Sequence, residues 1–240
     1  MKFKNEFWAF IPARSGSKSI KNKNIIALGK KPLIAYSLLT AKNSKNITKI
    51  VFSSDSIKYF NIAKKYAKIF FHKRSQKISS DYSPDYDVFR DFVKNYKGVL
   101  PKFFIHLRPT TPLRSSNVID KIIDDFKKKQ RKFSSLRSVS AMPNSLFKNV
   151  VIKKNKIFSP FFKSFNMDKI NFPRQRYSQS YLPDGYIDII KTQSILKGFL
   201  HGNHVMPYIS KDFVVDIDNS FDLKIASYLI KNMKNNLKNL

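Results

Sequence analysis

The chain has 240 residues, 46 Lys and Arg against 16 Asp and Glu for a formal net charge of +30, 42% hydrophobic residues and no cysteine. That length and composition suit one globular α/β domain with at most a small appendage, and the missing cysteines exclude disulfides, thiolate metal sites and a cysteine nucleophile. No apolar run approaches the ~20 residues of a membrane span, and the start, Met-Lys-Phe-Lys-Asn-Glu-Phe-Trp, carries charge where a secretory signal is apolar, so the expectation is a cytoplasmic protein without membrane insertion.

The lysines are spread along the whole length among many Asn and Ile, which reads as solvated faces rather than a nucleic-acid footprint. None of the RRM, KH, zinc-finger or homeodomain signatures is present, so nucleic acid is not expected as a partner.

In chain order, the apolar run 7–11 predicts a buried first strand and 32–43 a helix with proline in its first turn. Between them lies Ile11-Pro-Ala-Arg-Ser-Gly-Ser-Lys-Ser-Ile-Lys-Asn-Lys-Asn24. Such a strand-to-helix loop sits where open α/β sheets place their ligands. Arg14, Lys18, Lys21 and Lys23 alternate with the small residues Ser15, Gly16, Ser17 and Ser19. The loop reads either as a polyphosphate cradle or as a merely basic, solvated turn; it is neither a Walker A loop nor Gly-x-Gly-x-x-Gly.

Residues 49–54 predict a second strand, Ser53-Ser-Asp-Ser56 a helix cap before 57–66, and 68–72 a third strand with His72 as a structural strand-end residue. The polar stretch 72–87 is too long for an idle connection. After a helix at 85–96, the apolar strand 103–107 runs into Arg108-Pro-Thr-Thr-Pro-Leu-Arg114. Its two prolines stiffen the turn, so Arg108, Thr110, Thr111 and Arg114 are expected to face a ligand from the same sheet edge. Ser116-Asn117 should cap a helix at 118–129, with a fifth strand at 135–140.

From about 142 to 173 the pattern changes to a hairpin around Lys154-Asn155 and the run Phe158, Phe161, Phe162 and Phe165, read as a subunit surface. Residues 182–190 predict a further strand. Residues 213–218 predict a last strand before a helix at 221–233, and a frayed tail follows at 234–240.

Asp216 and Asp218, two apart, would share one face near the end of that last strand. They read either as helix-capping carboxylates or as hard oxygen ligands for magnesium. No Ser-His-Asp order or metal-binding histidine pair is apparent, so nucleophilic and zinc chemistry have no support.

Taken together, Ile11-Pro-Ala-Arg-Ser-Gly-Ser-Lys18 with Lys23-Asn24, Lys31-Pro-Leu-Ile34, Val51-Phe-Ser-Ser-Asp55, Arg108-Pro-Thr-Thr-Pro-Leu-Arg114, Pro173-Arg-Gln175, Asp184-Gly185 and Asp216-Ile-Asp218 resemble the acylneuraminate cytidylyltransferases, including their legionaminate and pseudaminate relatives. The resemblance implies an α/β Rossmann-like nucleotide-diphospho-sugar transferase fold. Its sheet would be mostly parallel with helices on both faces, one domain over 1–240 with an inserted dimerisation element at about 142–173, and the protein a homodimer.

The implied reaction is attack of the anomeric hydroxyl of a sialic-acid-like sugar acid on CTP, with pyrophosphate released, Mg2+ as cofactor and the product feeding surface glycans. By position, Arg14, Ser15, Gly16, Lys18, Lys23, Asn24 and Arg74 would bind nucleotide, and Arg108, Thr110, Arg174, Gln175 and Asp184 the sugar acid. Asp216 and Asp218 would hold the metal, with Arg14 and Lys18 beside them in catalysis. Arg108 and Asp184 stand where sialate synthetases have amides, which suggests that the two pair and that the sugar differs from N-acetylneuraminate.

Overall fold

The structure, a computed structural model, describes residues 2–162, 166–211 and 213–232. In chain order the strands and helices are β1 (Lys4–Pro12), β2 (Ala27–Leu28), β3 (Lys31–Pro32), α1 (Leu33–Asn43), β4 (Ile47–Ser54), α2 (Ile57–Ala63), β5 (Phe70–Lys73), α3 (Asp85–Asn95) and β6 (Pro101–His106). There follow α4 (Ser116–Lys129), β7 (Ser135–Ala141), β8 (Val151–Lys153), β9 (Lys156–Phe158), α5 (Met167–Ile170), β10 (Tyr181–Lys191), α6 (Thr192–Leu196), β11 (Val205–Ile209) and α7 (Ser220–Asn232).

Seven strands form one sheet in the order β11-β7-β10-β6-β1-β4-β5. β1 pairs in parallel with both β4 and β6, and only β10 runs antiparallel to its neighbours. The chain leaves β1 toward β4 and β5 and then returns to β6 on the other side, so the strand order reverses at β1. That reversal opens a crevice at the carboxyl ends of β1 and β6.

β1 explains why both faces are covered. Phe7, Ala9 and Ile11 point into a core shared with α1, α2 and α4, while Trp8 and Phe10 point into a second core shared with α3 and α6. A central parallel strand buried on both sides reads as a continuous apolar run, as this one does. The aromatic stacking of Phe10 on Phe89, ring centroids 4.1 Å apart, ties α3 to the sheet.

Some expectations shift. The stretch 213–218 is extended but pairs with no strand; Val215 and Ile217 bury against Leu28, Leu33, Tyr36 and Ala226. Alternation there reports one buried face, and a helix-and-turn surface supplies it as well as a sheet would. α4 is preceded by Ser115 with no side-chain cap, so Ser116 and Asn117 do not cap it. Ser56 does cap α2, and Asn219 accepts from the amides of Phe221 and Asp222 at the start of α7. β11 was hidden by Pro207, which an edge strand tolerates.

The β8–β9 hairpin turns through Lys154 and Asn155 at φ 47° and 55°, the left-handed pair that a two-residue loop needs. Around it Ile152, Ile157, Phe158, Phe161 and Phe162 are exposed. Phe165, Met233 and the tail lie outside the described residues. No helix among those described is long and apolar enough to cross a membrane.

Candidate active site

The crevice is lined by the loop after β1 (Pro12, Arg14, Ser17, Lys23 and Asn24), the stretch after β5 (Arg74, Ile78, Ser80, Asp81 and Ser83), Asp85 and Val88 of α3, and the turn after β6 (Arg108, Pro109 and Thr110). Three segments separated in sequence thus meet at one edge because β1, β5 and β6 end there.

The first loop is braced from beneath. The Asp55 carboxylate accepts from Ser15 N–H at 2.8 Å and Ser15 Oγ at 2.6 Å. Buried Asn24 donates to the Arg14 carbonyl at 2.8 Å. Both bonds fix the backbone and leave the cations to project. Arg14 and Lys18 meet on Asp81, Lys18 at 3.0 Å, and these two hold the Asp81 carboxyl below its ordinary value, Lys18 foremost. Gly16 has open space beside it. Lys23 crosses to the other side, donating to the Ile217 carbonyl at 2.9 Å and to Asp218 at 3.2 Å.

Asp216 and Asp218 are both exposed on the side of the chain opposite Val215 and Ile217. Ile217 N–H donates to the Thr110 carbonyl at 2.8 Å, and Asp216 accepts from Thr111 Oγ1 at 3.4 Å, so the carboxylates adjoin the crevice at Thr110 and Lys23. Gly185 makes this approach possible: at φ 71° it sits in the left-handed region, and a Cβ there would lie 2.9 Å from Thr111 Oγ1. Two carboxylates beside a cluster of cations form a hard oxygen donor set, the kind that could hold magnesium. No cluster of three or more His, Asp or Glu able to hold a metal by itself occurs among the described residues.

The expected Arg108–Asp184 pair does not form. Arg108 donates to Asp188 at 2.8 Å and to Asp85 at 2.9 Å. Asp184 instead accepts from Ser138 at 2.5 Å, Ser140 at 2.8 Å, Ser210 at 2.5 Å and Tyr186 N–H at 3.0 Å. Burial with four donors leaves that carboxylate no need of a cation, and it fastens the irregular start of β10 to β7. Burial alone would raise the Asp188 carboxyl, but the charge of Arg108, which donates to it at 2.8 Å, and the charge of Arg137 hold it well below the usual carboxylate range.

Arg114 does not face a ligand. It is 1% exposed and donates to the carbonyls of Tyr186, Arg108 and Gly185 and to Ser37 Oγ. Burial lowers its pKa to about 10, which still leaves it charged at neutral pH.

Gln175 lies apart, in the turn Arg174–Arg176, lining a separate surface pocket with Met142, Ser145 and Tyr177. The Arg174 side chain is outside the described residues. Two features escaped the sequence reading. Asp81 was hidden in a loop recognised only as polar; Asp188 had a signal, a carboxylate inside the apolar run Tyr186-Ile-Asp-Ile-Ile190, which demands buried partners.

The profile of the cytidylyltransferase family matches residues 8–222, and the chain belongs to that family. It is 32% identical over 232 residues to post-translational flagellin modification protein B of Campylobacter coli, covering 95% of this chain and 96% of the relative. It is 32% identical over 240 residues to CMP-N,N'-diacetyllegionaminic acid synthase of Campylobacter jejuni, covering 98% and 97%. Identity to the N-acylneuraminate cytidylyltransferase of Escherichia coli is 30% over 235 residues, 96% of this chain but 53% of that longer protein.

The fold matches the solved structure of CMP:2-keto-3-deoxy-manno-octonic acid synthetase complexed with CTP, with a TM-score of 0.69 at 12% identity over 95% of this chain and 99% of that one. It also matches a cytidylyltransferase from Leptospira borgpetersenii, with a TM-score of 0.60 at 16% identity over 94% and 87%. The α/β class, the mostly parallel sheet and the helices on both faces are therefore those of the nucleotide-diphospho-sugar transferases.

Proposed function

We propose that this cytidylyltransferase transfers CMP from CTP to the anomeric hydroxyl of a nonulosonic sugar acid and releases pyrophosphate. The observation that carries the reading is the meeting, at one sheet edge, of the braced cations Arg14, Lys18 and Lys23 with the carboxylates Asp216 and Asp218. Names of relatives over the full length support the sugar class: a legionaminic acid synthase, and a Campylobacter jejuni pseudaminic acid cytidylyltransferase at 28% identity over 228 residues, 92% of this chain and 94% of the relative.

In the reaction the anomeric oxygen forms a bond to the α-phosphorus, the bridge to the β-phosphate breaks and pyrophosphate leaves. An in-line displacement of this kind needs alignment and charge neutralisation more than covalent help. Arg14, Lys18 and Arg74 bind the phosphates, Ser15 and Asn24 hold the loop that aligns them, and Lys23 steadies Asp218. Magnesium, held by Asp216 and Asp218, would neutralise charge on the phosphates. Thr110 and Arg108 border the sugar end, where Arg108, already paired with two carboxylates, offers shape rather than a free cation. The exposed phenylalanines beside the β8–β9 hairpin form the face of a homodimer, which would bring Arg174 and Gln175 to the sugar. The product feeds surface glycans from the cytoplasm.

The test is pyrophosphate release with magnesium, crossing CTP, GTP, UTP and ATP against neuraminic, legionaminic, pseudaminic and Kdo acids. Release with CTP and one nonulosonic acid is expected. Release with another base, or with Kdo alone, would overturn the reading.

A further inference from the structure

Behind the crevice a chain of polar side chains crosses the sheet edge. Ser53, at the end of β4, is fully buried. Its Oγ accepts from Arg74 Nε at 2.9 Å and lies 2.9 Å from His72 Nδ1, while His72 Nε2 lies 2.8 Å from Asp91 on α3. Asn95 donates to the other Asp91 oxygen at 3.0 Å. The order Ser53, His72, Asp91 is that of a nucleophilic triad, but Ser53 has no exposed surface and is already an acceptor for an arginine, so it attacks nothing.

The proton inventory gives the chain a direction. A hydroxyl has one hydrogen. The Asp91 carboxylate can only accept, so Nε2 carries the ring proton; Nδ1 of the neutral ring is then bare and takes the Ser53 hydrogen, while a lone pair of Ser53 accepts from Arg74. The rings of Phe92 and Phe10 stand 5.4 Å and 6.2 Å from the imidazole and keep water away. Burial first, and the charge of Arg74 as well, favour the neutral ring against the pull of Asp91.

At the other end Arg74 is 7% exposed and lines the crevice, and its Nη2 is buried with no hydrogen-bond partner. A guanidinium nitrogen left unpaired in a buried site is costly unless a ligand completes it. One edge of Arg74 is thus held by the protein, and Nη2 keeps a donor to spare in a side chain that lines the crevice.

We propose that Ser53, His72 and Asp91 are positioning residues that aim Arg74 at the phosphates of the nucleotide. This rests on the reading of the crevice as the CTP site. Holding Nε fixes the plane of the guanidinium, and with it the direction of the remaining donors, before the nucleotide arrives; pre-organisation of that kind lowers the cost of binding.

The test is CTP binding by calorimetry, in magnesium, on the full chain, with urea unfolding run on every variant. Ser53→Ala is expected to weaken binding about tenfold, the scale of one lost hydrogen bond to a charged group. Asp91→Ala should weaken it by about threefold at most through the longer path, and Asp91→Asn, which keeps an acceptor for Nε2, should restore parental affinity. In an Arg74→Ala background, Ser53→Ala should cost nothing further, because the two act through one contact. Parental affinity in Ser53→Ala, or a full additive loss in the Arg74→Ala background, overturns the relay while leaving the CTP site standing. A parent chain that binds no CTP overturns the site and the relay together.

Discussion

The loop after β1 and the turn after β6 leave the same edge of the sheet, and each carries basic residues among small or rigid ones. Their cations end in opposite circumstances. Arg14 and Lys18 have side chains 33% and 81% exposed and meet a carboxylate on a neighbouring loop. Arg114 is enclosed, every nitrogen of its guanidinium bonded to the chain, and Arg108 is clasped by Asp85 and Asp188. What separates them is the supply of acceptors. Around Arg114 three carbonyls from the chain's own turns converge, and a guanidinium with five donors serves as their common tie. In the loop after β1 the Arg14 carbonyl is taken by Asn24 and those of Ser15 and Ile20 by amides of the loop itself, and its cations are left for an anion.

The sharpest way to break the comparison is Arg114→Ala. Removing a buried cation that ties three carbonyls should cost about 3–5 kcal/mol in urea unfolding; a loss below about 1 kcal/mol, the surface-pair scale, would mean the turn holds itself. Asp216→Ala should do the reverse, lowering pyrophosphate release by about a thousandfold, close to 4 kcal/mol of barrier, with the unfolding midpoint unchanged. Retained turnover would remove the metal role from that carboxylate.

A third measurement concerns the buried histidines. His72, His106 and His201 all have pKa values lowered from 6.5, burial being the largest cause for each. As pH falls below that value the unfolded chain takes up protons that the folded chain refuses, so stability should drop with falling pH from about 6.5 downward and stay flat with respect to these groups above it. A urea midpoint that is level between about pH 7 and pH 5.5 would show that water reaches these rings. The smallest effect expected is that of Asp81→Asn, which frees Arg14 and Lys18 and should tighten CTP binding by about threefold, as for a single exposed pair; weaker binding would make Asp81 a ligand group instead of a competitor.

How legible was this in the sequence? β1, β4 and β6 are apolar runs with turn chemistry at their carboxyl ends, and the motifs of the first loop and the two-proline turn lie in short contiguous stretches, so the mostly parallel sheet and the edge that carries both loops could be read directly. What escaped depends on contacts between distant residues. Ser53 and His72, and His72 and Asp91, are each 19 positions apart, and no local period links a strand end to a helix face that way. The pairing of Arg108 with Asp188 instead of Asp184 turns on which residues of β10 face β6. Asp188 sits opposite His106 in that register, whereas Asp184 lies in the irregular stretch facing β7 and its serines. In a regular strand the two carboxylates, four residues apart, would share a face; the register shift between Pro183 and Asp188 parts them, and the motif around Gly185 hides it.

Asp81 gives the first loop one more property. Its carboxylate is part of the crevice wall, so at Arg14 and Lys18 it acts as an anion at a standing local concentration. A single phosphate or chloride ion arriving from solution must outcompete it and brings only one contact to do so. Under the proposed function a triphosphate would displace it once and then add contacts that one carboxylate cannot match. Under the proposed function the resting loop would therefore select by valence, favouring a chelating anion over the small ones.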